Sequence, residues 1–501
     1  MSRQHRIVWS AVRAAAALTC LLLAVGLSDP PSPATWDESG AGTHGTDVRV
    51  GGTPAGPRVP DDFLGFSFET TALRTRVFAP GRPVLAQLLA NLGPGLMRFG
   101  GNTLDRSVWD PSASASGSPA TVNAGDLAGM FAFAGQVGWK VLLGLDLGRY
   151  DPAAAASEAE AAARLGGSAL AAFEFGNEPD LYAQAYTGPL RPPSYDGAAY
   201  TREWRSYLRA VRGGVPDAVV VGPSIAGIPG SLGMLTQFVQ AERGEIPYAT
   251  VHHYPLGAPI TDPESPAYAS IDNLLSADVR RRDTDEIGTW ARAVADLGTT
   301  LRLTETNSVF GGGKHGVSDT LAGALWTVDY LYRVASLGFI GVNLHAVLDQ
   351  CGGYTPICAP DAAGAAADRF RVQPNYYALL LFHLAARGRL IPTRVAGDSR
   401  VIAYAARDRA GVTRIALINA APRAIDVTVR VLGLSGGAAG AIVRLIGPSL
   451  GALDGVTLAG TQVAADGTWT PGAAEPVTVS GGAARVSLPA ASASALVLEA
   501  P

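Results

Sequence analysis

Residues 172–179 read Ala-Phe-Glu-Phe-Gly-Asn-Glu-Pro, a short apolar run that ends in polar residues and a proline. Similar runs recur between Asp61 and Arg387, and stretches with helical periodicity lie between them, such as 154–165, 200–211 and 319–337. This alternation is typical of βα units and a parallel sheet. Eight runs predict an α/β fold, a (β/α)8 TIM barrel. The predicted strands are 63–69, 96–101, 140–146, 172–177, 219–224, 248–254, 300–307 and 341–348.

After Arg389 the pattern changes to short strand-like runs separated by Gly, Pro, Asp and Ser, without helical periodicity. This pattern predicts a C-terminal antiparallel β-sandwich, to which residues 48–59 could add a strand. The predicted domains are therefore a signal peptide (1–34), a linker with that strand (35–60), the catalytic barrel (61–388) and the sandwich (389–501). The predicted sandwich strands are 401–406, 413–419, 425–431, 441–445, 484–488 and 495–498.

The N-terminus has the features of a targeting segment. Arg3, Arg6 and Arg13 precede an apolar stretch, residues 14–27, which is short for a membrane span. Residues 28–34 are rich in Ser and Pro and offer a cleavage region. We therefore expect a secreted, extracellular protein, with an uncleaved N-terminal anchor as the alternative and no other stable membrane partner.

Composition limits the possible partners. The chain has 501 residues, 48% hydrophobic and 16% charged, with a formal net charge of −4. This is enough apolar material for a large core. Lys140 and Lys314 are its only lysines, and no Lys/Arg run is long enough to hold nucleic acid or a heavily sulfated polysaccharide. We expect no nucleic-acid partner.

Three cysteines occur, and Cys20 lies within the apolar N-terminal stretch. Cys351 and Cys358 therefore form the even pair of the mature chain. In an exported protein such a pair indicates a disulfide, while two buried free thiols are the alternative.

Two glutamates lie at the C-terminal ends of predicted barrel strands, where barrel enzymes carry their chemistry. Glu178 ends the fourth run, in Asn-Glu-Pro, and Glu305 ends the seventh, in Leu-Thr-Glu-Thr-Asn. A retaining glycoside hydrolase needs such a pair, with one carboxyl group protonating the leaving oxygen and the other attacking the anomeric carbon. We predict Glu178 as general acid/base and Glu305 as nucleophile. This chemistry needs no cofactor, and no metal-ligand spacing occurs in the sequence.

Longer strings around these glutamates resemble glycoside hydrolase family 79, which contains β-glucuronidases and heparanases. The segment 305–313, Glu-Thr-Asn-Ser-Val-Phe-Gly-Gly-Gly, carries the strongest likeness, followed by Val-Ser-Asp-Thr at 317–320. Arg-Phe-Gly-Gly-Asn at 98–102, Val-His-His-Tyr at 251–254 and Pro-Asn-Tyr-Tyr at 374–377 resemble the family's pattern too. The likeness spans the barrel and, more loosely, the sandwich.

The resemblance assigns roles around the sugar ring. Asn177 would hydrogen-bond the 2-hydroxyl, and Glu69 would bind further sugar hydroxyls. Asn102 lies where the family places a small polar residue, although its type differs from some relatives. Tyr254 or His253 would lie beside the nucleophile and orient it.

The resemblance also implies a carboxylate site. Backbone N–H groups of Gly311 and Gly312 and the hydroxyl of Tyr354 would receive the carboxylate of a uronic acid. Glycines let the backbone approach a ligand closely, and successive N–H groups form an anion-binding concavity. The expected partner is a glucuronide or another glycan that contains uronic acid, and the expected activity is an exo-β-glucuronidase.

Three alternatives stay open from the sequence. An arabinofuranosidase or β-xylosidase would keep both glutamates but would not need the carboxylate site. A heparanase-like endo-β-glucuronidase would need a basic groove, which the scarcity of lysine disfavours but arginine could supply. A carbohydrate-binding decayed barrel is disfavoured because both glutamates are present.

Overall fold

The computed structural model describes residues 45–499 apart from residues 115–116, 185–188, 229 and 435–437. The predicted signal peptide lies outside these residues. Eight parallel strands close into a barrel in chain order, which confirms the (β/α)8 prediction. The barrel strands are Leu64–Glu69, Leu96–Gly100, Lys140–Leu145, Leu170–Phe175, Val220–Ile225, Ala249–His253, Leu301–Thr306 and Val342–His345.

The barrel is lined by two layers of side chains of different chemistry. Leu96, Leu142, Ala172 and Val221 form a small apolar cluster from four neighbouring strands. Alternate residues of a strand face the same side, so the next inward position on barrel strand two is an arginine, Arg98. The corresponding position on barrel strand four is a glutamate. Charged side chains thus lie inside the barrel, toward the carboxyl ends of its strands.

Helices surround the barrel, and polar residues fix where several of them begin. Asn123 caps its helix with a capping box to Asp126, and the Thr320 side chain accepts from the N–H of Gly323. This cap explains why the helix predicted from residue 319 begins at Leu321. The helices are Pro83–Ala90, Ala124–Val137, Pro152–Gly166, Gly197–Gly214, Ser231–Glu242, Ile271–Leu274, Ala277–Ala295, Leu321–Ser336, Ala362–Ala366 and Pro374–Ala385.

The second part of the molecule is a sheet folded onto itself around an apolar core. Glu475–Ser480 pairs with Ala439–Ile446 on one side and Ala483–Leu488 on the other, so it joins the two layers. Thr46–Val50 joins this sheet and runs parallel to Ile425–Val431. All other strand pairs of the sheet are antiparallel. The remaining strands are Arg58–Val59, Gly388–Ile391, Thr393–Ala396, Val401–Arg407, Thr413–Asn419, Thr457–Leu458 and Ser492–Glu499.

Barrel and sheet share one apolar core. The helix Pro374–Ala385 contributes eight of its twelve side chains to the barrel core, and Ala416, Ile418 and Ala493 of the sheet belong to the same cluster. Asp329, on a barrel helix, accepts a hydrogen bond from the Tyr404 hydroxyl of the sheet at 2.7 Å.

Within the part of the chain that the structure describes, three short strand pairs lie outside these sheets and connect loops. Val108–Trp109 pairs with Thr121–Val122, Leu256–Gly257 with Val309–Phe310, and Ile357–Cys358 with Arg371–Val372. Within the described residues, no helix is both long and apolar enough to cross a membrane.

The sandwich core should respond strongly to truncation. Leu417 is fully buried in the core between the two layers, whereas Leu432 is 60% exposed. We expect Leu417→Ala to lower the free energy of unfolding by about 2–5 kcal/mol, because it removes buried methyl groups and leaves a cavity. Leu432→Ala, the control, should change it by less than about 0.5 kcal/mol. Denaturant titration measures both, and equal effects would contradict the assigned core.

Candidate active site

The centre of the site is a buried arginine on barrel strand two. Arg98 is fully buried, and its guanidinium donates five hydrogen bonds to side chains from four other strands or the residues that follow them. The acceptors are Glu174 at 2.9 Å, Ser67 at 3.1 Å, Glu305 at 2.8 Å, Asn177 at 2.9 Å and Ser224 at 3.0 Å. All five guanidinium donors can be used in this arrangement, so the side chain has a single orientation.

Glu305 lies on barrel strand seven and is held in its ionised form. Besides Arg98, the Tyr254 hydroxyl donates to its Oε1 at 2.9 Å, and Nδ1 of His345 lies 3.6 Å from its Oε2. Burial alone would raise the pKa of Glu305. The side chains of His345 and His252, the Arg98 guanidinium and the Tyr254 hydrogen bond outweigh burial and lower that pKa to about 2.

Glu178 follows barrel strand four and has the opposite character. Burial, followed by repulsion from the Glu305 carboxylate, raises the pKa of Glu178 to about 8. Its Oε1 lies 2.9 Å from Nδ1 of His252, whose own pKa burial lowers to about 4. Glu178 also has a left-handed backbone, with φ of +53°, and its N–H donates to the Ser224 carbonyl. Such strain costs energy and is common at functional sites.

The two carboxyl groups are close together. Ligand atoms of Glu178, His252 and Glu305 lie within 4.8 Å of one another, the one group of the described residues that could share a metal ion. Arg98 already supplies positive charge to Glu305, and His252 contacts Glu178. The arrangement is therefore an acid and a carboxylate facing each other with opposite pKa shifts, which suits acid–base chemistry.

Asn177 is oriented from two sides. Its Oδ1 accepts from Arg98, which leaves the side-chain NH2 group as a donor toward the site. Its backbone N–H donates to the buried Asp105 at 3.0 Å, and Asp105 also accepts from the Tyr182 hydroxyl and from the N–H of Gly148. Asp105 therefore connects the loops that follow barrel strands two, three and four.

Glu69 and Asn102 border the same site. Oε2 of Glu69 accepts from the N–H and hydroxyl of Thr103 at 2.7 and 2.6 Å, and Oε1 accepts from the N–H of Asn102. Nε2 of His345 lies 3.7 Å from Glu69. Asn102, Asn177 and Glu178 line one cleft.

The structure separates the two candidates for orienting Glu305. Tyr254 contacts Glu305 directly, but His253 does not reach the carboxylates. Its Nδ1 lies 2.9 Å from the Tyr330 hydroxyl, and its ring stacks on Tyr330 of the surrounding helix. The expectation for His253 is therefore corrected, because alternate strand residues face opposite sides and His252 is the one that points inward.

The three residues of the expected carboxylate site lie on loops in direct contact. Gly311 and Gly312 have φ of +85° and +94°, and a Cβ atom on Gly313 would lie 2.3 Å from the N–H nitrogen of Tyr354. Only glycine permits this approach. The Tyr354 ring is buried, 6.2 Å from the Tyr254 ring.

The Tyr354 loop is anchored on both sides. Cys351 and Cys358 form a disulfide around it, as the cysteine count predicted. The Tyr354 carbonyl accepts from the side chains of Asn307, two residues beyond Glu305, and Asn375 at 3.3 and 2.6 Å. The loop position is thereby coupled to the strand that carries Glu305.

Sequence reasoning assigned no role to several side chains that build this site. Arg98 and Glu174 each carry a charge inside an apolar strand run, which is a signal for a buried ion pair. His252, Ser224 and His345 gave no comparable signal, because a histidine or serine at a strand end is common in any barrel.

The fold and the carboxylate pair define a barrel glycoside hydrolase. The family described as "Glycosyl hydrolase family 79 C-terminal beta domain" matches residues 403–494. The chain is similar to a β-glucuronidase of Aspergillus niger, 26% identical over 438 residues that cover 80% of this chain and 79% of that protein. These matches support the predicted family, glycoside hydrolase family 79, and the predicted enzyme class.

Other matches cover less or are more distant. A β-glucuronidase of Neurospora crassa is 31% identical over 196 residues, 36% of this chain and about a third (34%) of that protein's length. A solved structure, a 4-O-α-L-rhamnosyl-β-D-glucuronidase from Fusarium oxysporum, covers 90% of this chain and 100% of its own, with a TM-score of 0.69 and 22% identity. A GH51 arabinofuranosidase from Xanthomonas axonopodis pv. citri reaches 0.68 at 16% identity and covers 91% and 100%. At these identities the two structures support the fold alone.

The raised pKa of Glu178 depends partly on its neighbour. We expect Glu305→Gln to lower the pKa of Glu178, because the substitution removes the repulsion from the Glu305 charge. Glu69→Gln, the control, should lower it less, because Glu69 contributes a smaller repulsion. Carbon-13 NMR titration of labelled glutamate carboxyl groups measures both. An unchanged pKa in Glu305→Gln would mean that burial alone sets it.

Proposed function

We propose that this chain is an exo-acting, retaining β-glucuronidase that cleaves terminal β-linked glucuronic acid. The observation that carries the proposal is the pair Glu178 and Glu305. A carboxylate oxygen of each lies within 4.8 Å of the other, and their pKa values are about 8 and about 2. Carboxyl groups about 5–5.5 Å apart support retention, whereas inverting enzymes need about 6.5–9.5 Å to admit a water. The relatives named β-glucuronidase support the choice of sugar.

In the first step, Glu305 attacks the anomeric carbon while Glu178 gives its proton to the glycosidic oxygen. The bond to the leaving group breaks and a covalent glycosyl-enzyme forms. In the second step, Glu178, now ionised, takes a proton from water, and the water oxygen displaces Glu305. Arg98 and Tyr254 hold the Glu305 carboxylate during both steps, and Asn177 can donate to the 2-hydroxyl.

The uronate carboxylate would bind at Gly311, Gly312 and Tyr354. Two positive-φ glycines and a buried phenol hydroxyl on touching loops supply hydrogen-bond donors beside the Glu305 site. Tyr354 stays a donor at working pH because burial raises its pKa far above the usual range. Donors of this kind match an oxyanion better than a hydroxymethyl group.

We also propose that the protein is exported. The basic and apolar N-terminal residues support this, and so does the Cys351–Cys358 disulfide, since disulfides persist in oxidising compartments. Comparison of aryl β-glucuronide, glucoside, xyloside and arabinofuranoside substrates separates the proposed activity from its neutral-sugar alternatives.

Substitution of the two glutamates should reduce activity in different ways. Glu305→Gln should abolish turnover of every glycoside, because no nucleophile remains. Glu178→Ala should be milder on aryl glycosides with good leaving groups, which need little protonation. Azide should rescue Glu178→Ala by attacking the glycosyl-enzyme. Steady-state kinetics across a leaving-group series test this, and equal losses without azide rescue would refute the role assignment.

Tyr354 should select the sugar. Tyr354→Phe should lower kcat/KM for an aryl glucuronide by about 10–150-fold, since a charge-assisted hydrogen bond contributes roughly 1.5–3 kcal/mol. It should barely change the residual glucosidase rate. The matched control Tyr254→Phe should slow both sugars, because Tyr254 donates to Glu305. If Tyr354→Phe slowed both sugars equally, the uronate site would be refuted.

A further inference from the structure

The outer face of the C-terminal sheet carries four arginines from four different strands. We call Arg49, Arg394, Arg430 and Arg485 the arginine face. Their strand neighbours point into the sandwich core, so these side chains point to solvent, and all except the half-buried Arg49 are exposed. They come from positions almost 440 residues apart in the chain, so the sequence shows no basic run here.

Strand register places three of them in one row. Arg49 lies directly opposite Arg394 on one neighbouring strand and directly opposite Arg430 on the other. Adjacent strands are about 4.8 Å apart, so the row holds three guanidinium side chains side by side. Arg485 lies opposite Thr428, in the next outward position of the same face.

The positive charge of this face is only partly compensated. Asp47 lies 3.5 Å from Arg430, and Asp426 is the other carboxylate that these four strands contribute to the face. Across the described part of the chain, Arg49, Arg394 and Arg485 form no ion pair. Four arginines against two aspartates leave a local excess of positive charge on a chain whose net charge is −4.

Stability does not account for the row. Like charges directly opposite each other on neighbouring strands destabilise a sheet. Charged residues on an edge strand protect against aggregation, which could explain Arg394, since Thr393–Ala396 ends the sheet. It cannot explain Arg49 and Arg430, whose strands are paired on both sides.

We propose that the arginine face binds an acidic polysaccharide through its uronate carboxylates. A guanidinium group forms paired hydrogen bonds to a carboxylate, and a row of them fits a polymer that repeats this group. A glycan is the occupant we choose because the same molecule carries a glycosidase barrel. The site is separate from the proposed reaction at Glu178 and Glu305, and its test does not depend on turnover.

The three arginines that form no ion pair within the described residues provide the test. We expect the triple variant Arg49→Gln, Arg394→Gln, Arg485→Gln to bind polygalacturonate about tenfold more weakly at low salt, with the difference shrinking as salt rises. Biolayer interferometry on immobilised polymer measures this. The matched control is Arg202→Gln, Arg209→Gln, Arg243→Gln, exposed or helix-end residues of the barrel with the same change in charge. Polymer whose carboxylates have been reduced should bind neither the wild-type protein nor the control variant.

A second variant and two further readouts complete the test. Arg49→Glu should weaken polymer binding and raise or preserve the melting temperature, because the new carboxylate lies between two arginines. Both sets of variants should keep wild-type rates on small aryl glycosides. If the enzyme were inactive on all glucuronides but the arginine-face variants still weakened polymer binding, the proposed reaction would be refuted and the proposed binding site would not.

Three results would overturn the proposal. The first is equal loss of binding in the arginine-face and control variants. The second is binding to phosphatidylglycerol vesicles but not to polygalacturonate, which would indicate a lipid surface. The third is a lower melting temperature in both the triple variant and Arg49→Glu, which would make the arginines structural.

Discussion

The site depends on one buried cation, Arg98. An arginine without solvent inside a barrel is stable only when ionised partners and hydrogen-bond acceptors surround it. Glu174 and Glu305 supply the charges, and residues from other strands supply the remaining acceptors. Removing one partner of such a buried pair costs about 3–5 kcal/mol, because a charge is left uncompensated. The same contacts that stabilise the barrel interior therefore fix the Glu305 carboxylate.

The charge balance around Arg98 contributes to the difference between the two glutamates. One guanidinium contacts two carboxylates, so the group already carries a surplus of negative charge. A third carboxyl group, Glu178, enters this environment without touching Arg98 and contacts His252 instead. Burial and the neighbouring charge then favour its protonated form. The neighbouring His345, His252 and Arg98 lower the pKa of Glu305 instead, so two carboxyl groups a few ångströms apart have opposite pKa shifts.

Sequence patterns predicted the barrel well because eight apolar runs and their polar ends reflect backbone and burial rules that act locally. Glu178 and Glu305 were identified because strand ends in this fold share one rim. The side chains that face these two glutamates were harder to predict from the sequence. Whether His252 or His253 points inward depends on the phase of the strand, which is seen only in the fold, where His252 contacts Glu178 and His253 contacts Tyr330 of the surrounding helix. Two adjacent histidines do not mark that phase in the sequence, and the strand pairing that assembles the arginine face is not visible there either.

Arginine side chains occur in two different electrostatic environments in this molecule. Arg98 is surrounded by acceptors and can take no further ligand, so its function is to hold other side chains. Arg49 lies between two arginines at the surface, where a like-charge row costs stability and the guanidinium donors stay available to solvent. An interaction that lowers stability needs another reason to be present, and binding of an anion relieves the repulsion directly. Arg98 is fully compensated by its partners, as a structural ion pair requires. The row around Arg49 is not compensated, and this is the arrangement we expect of a surface that binds an anion.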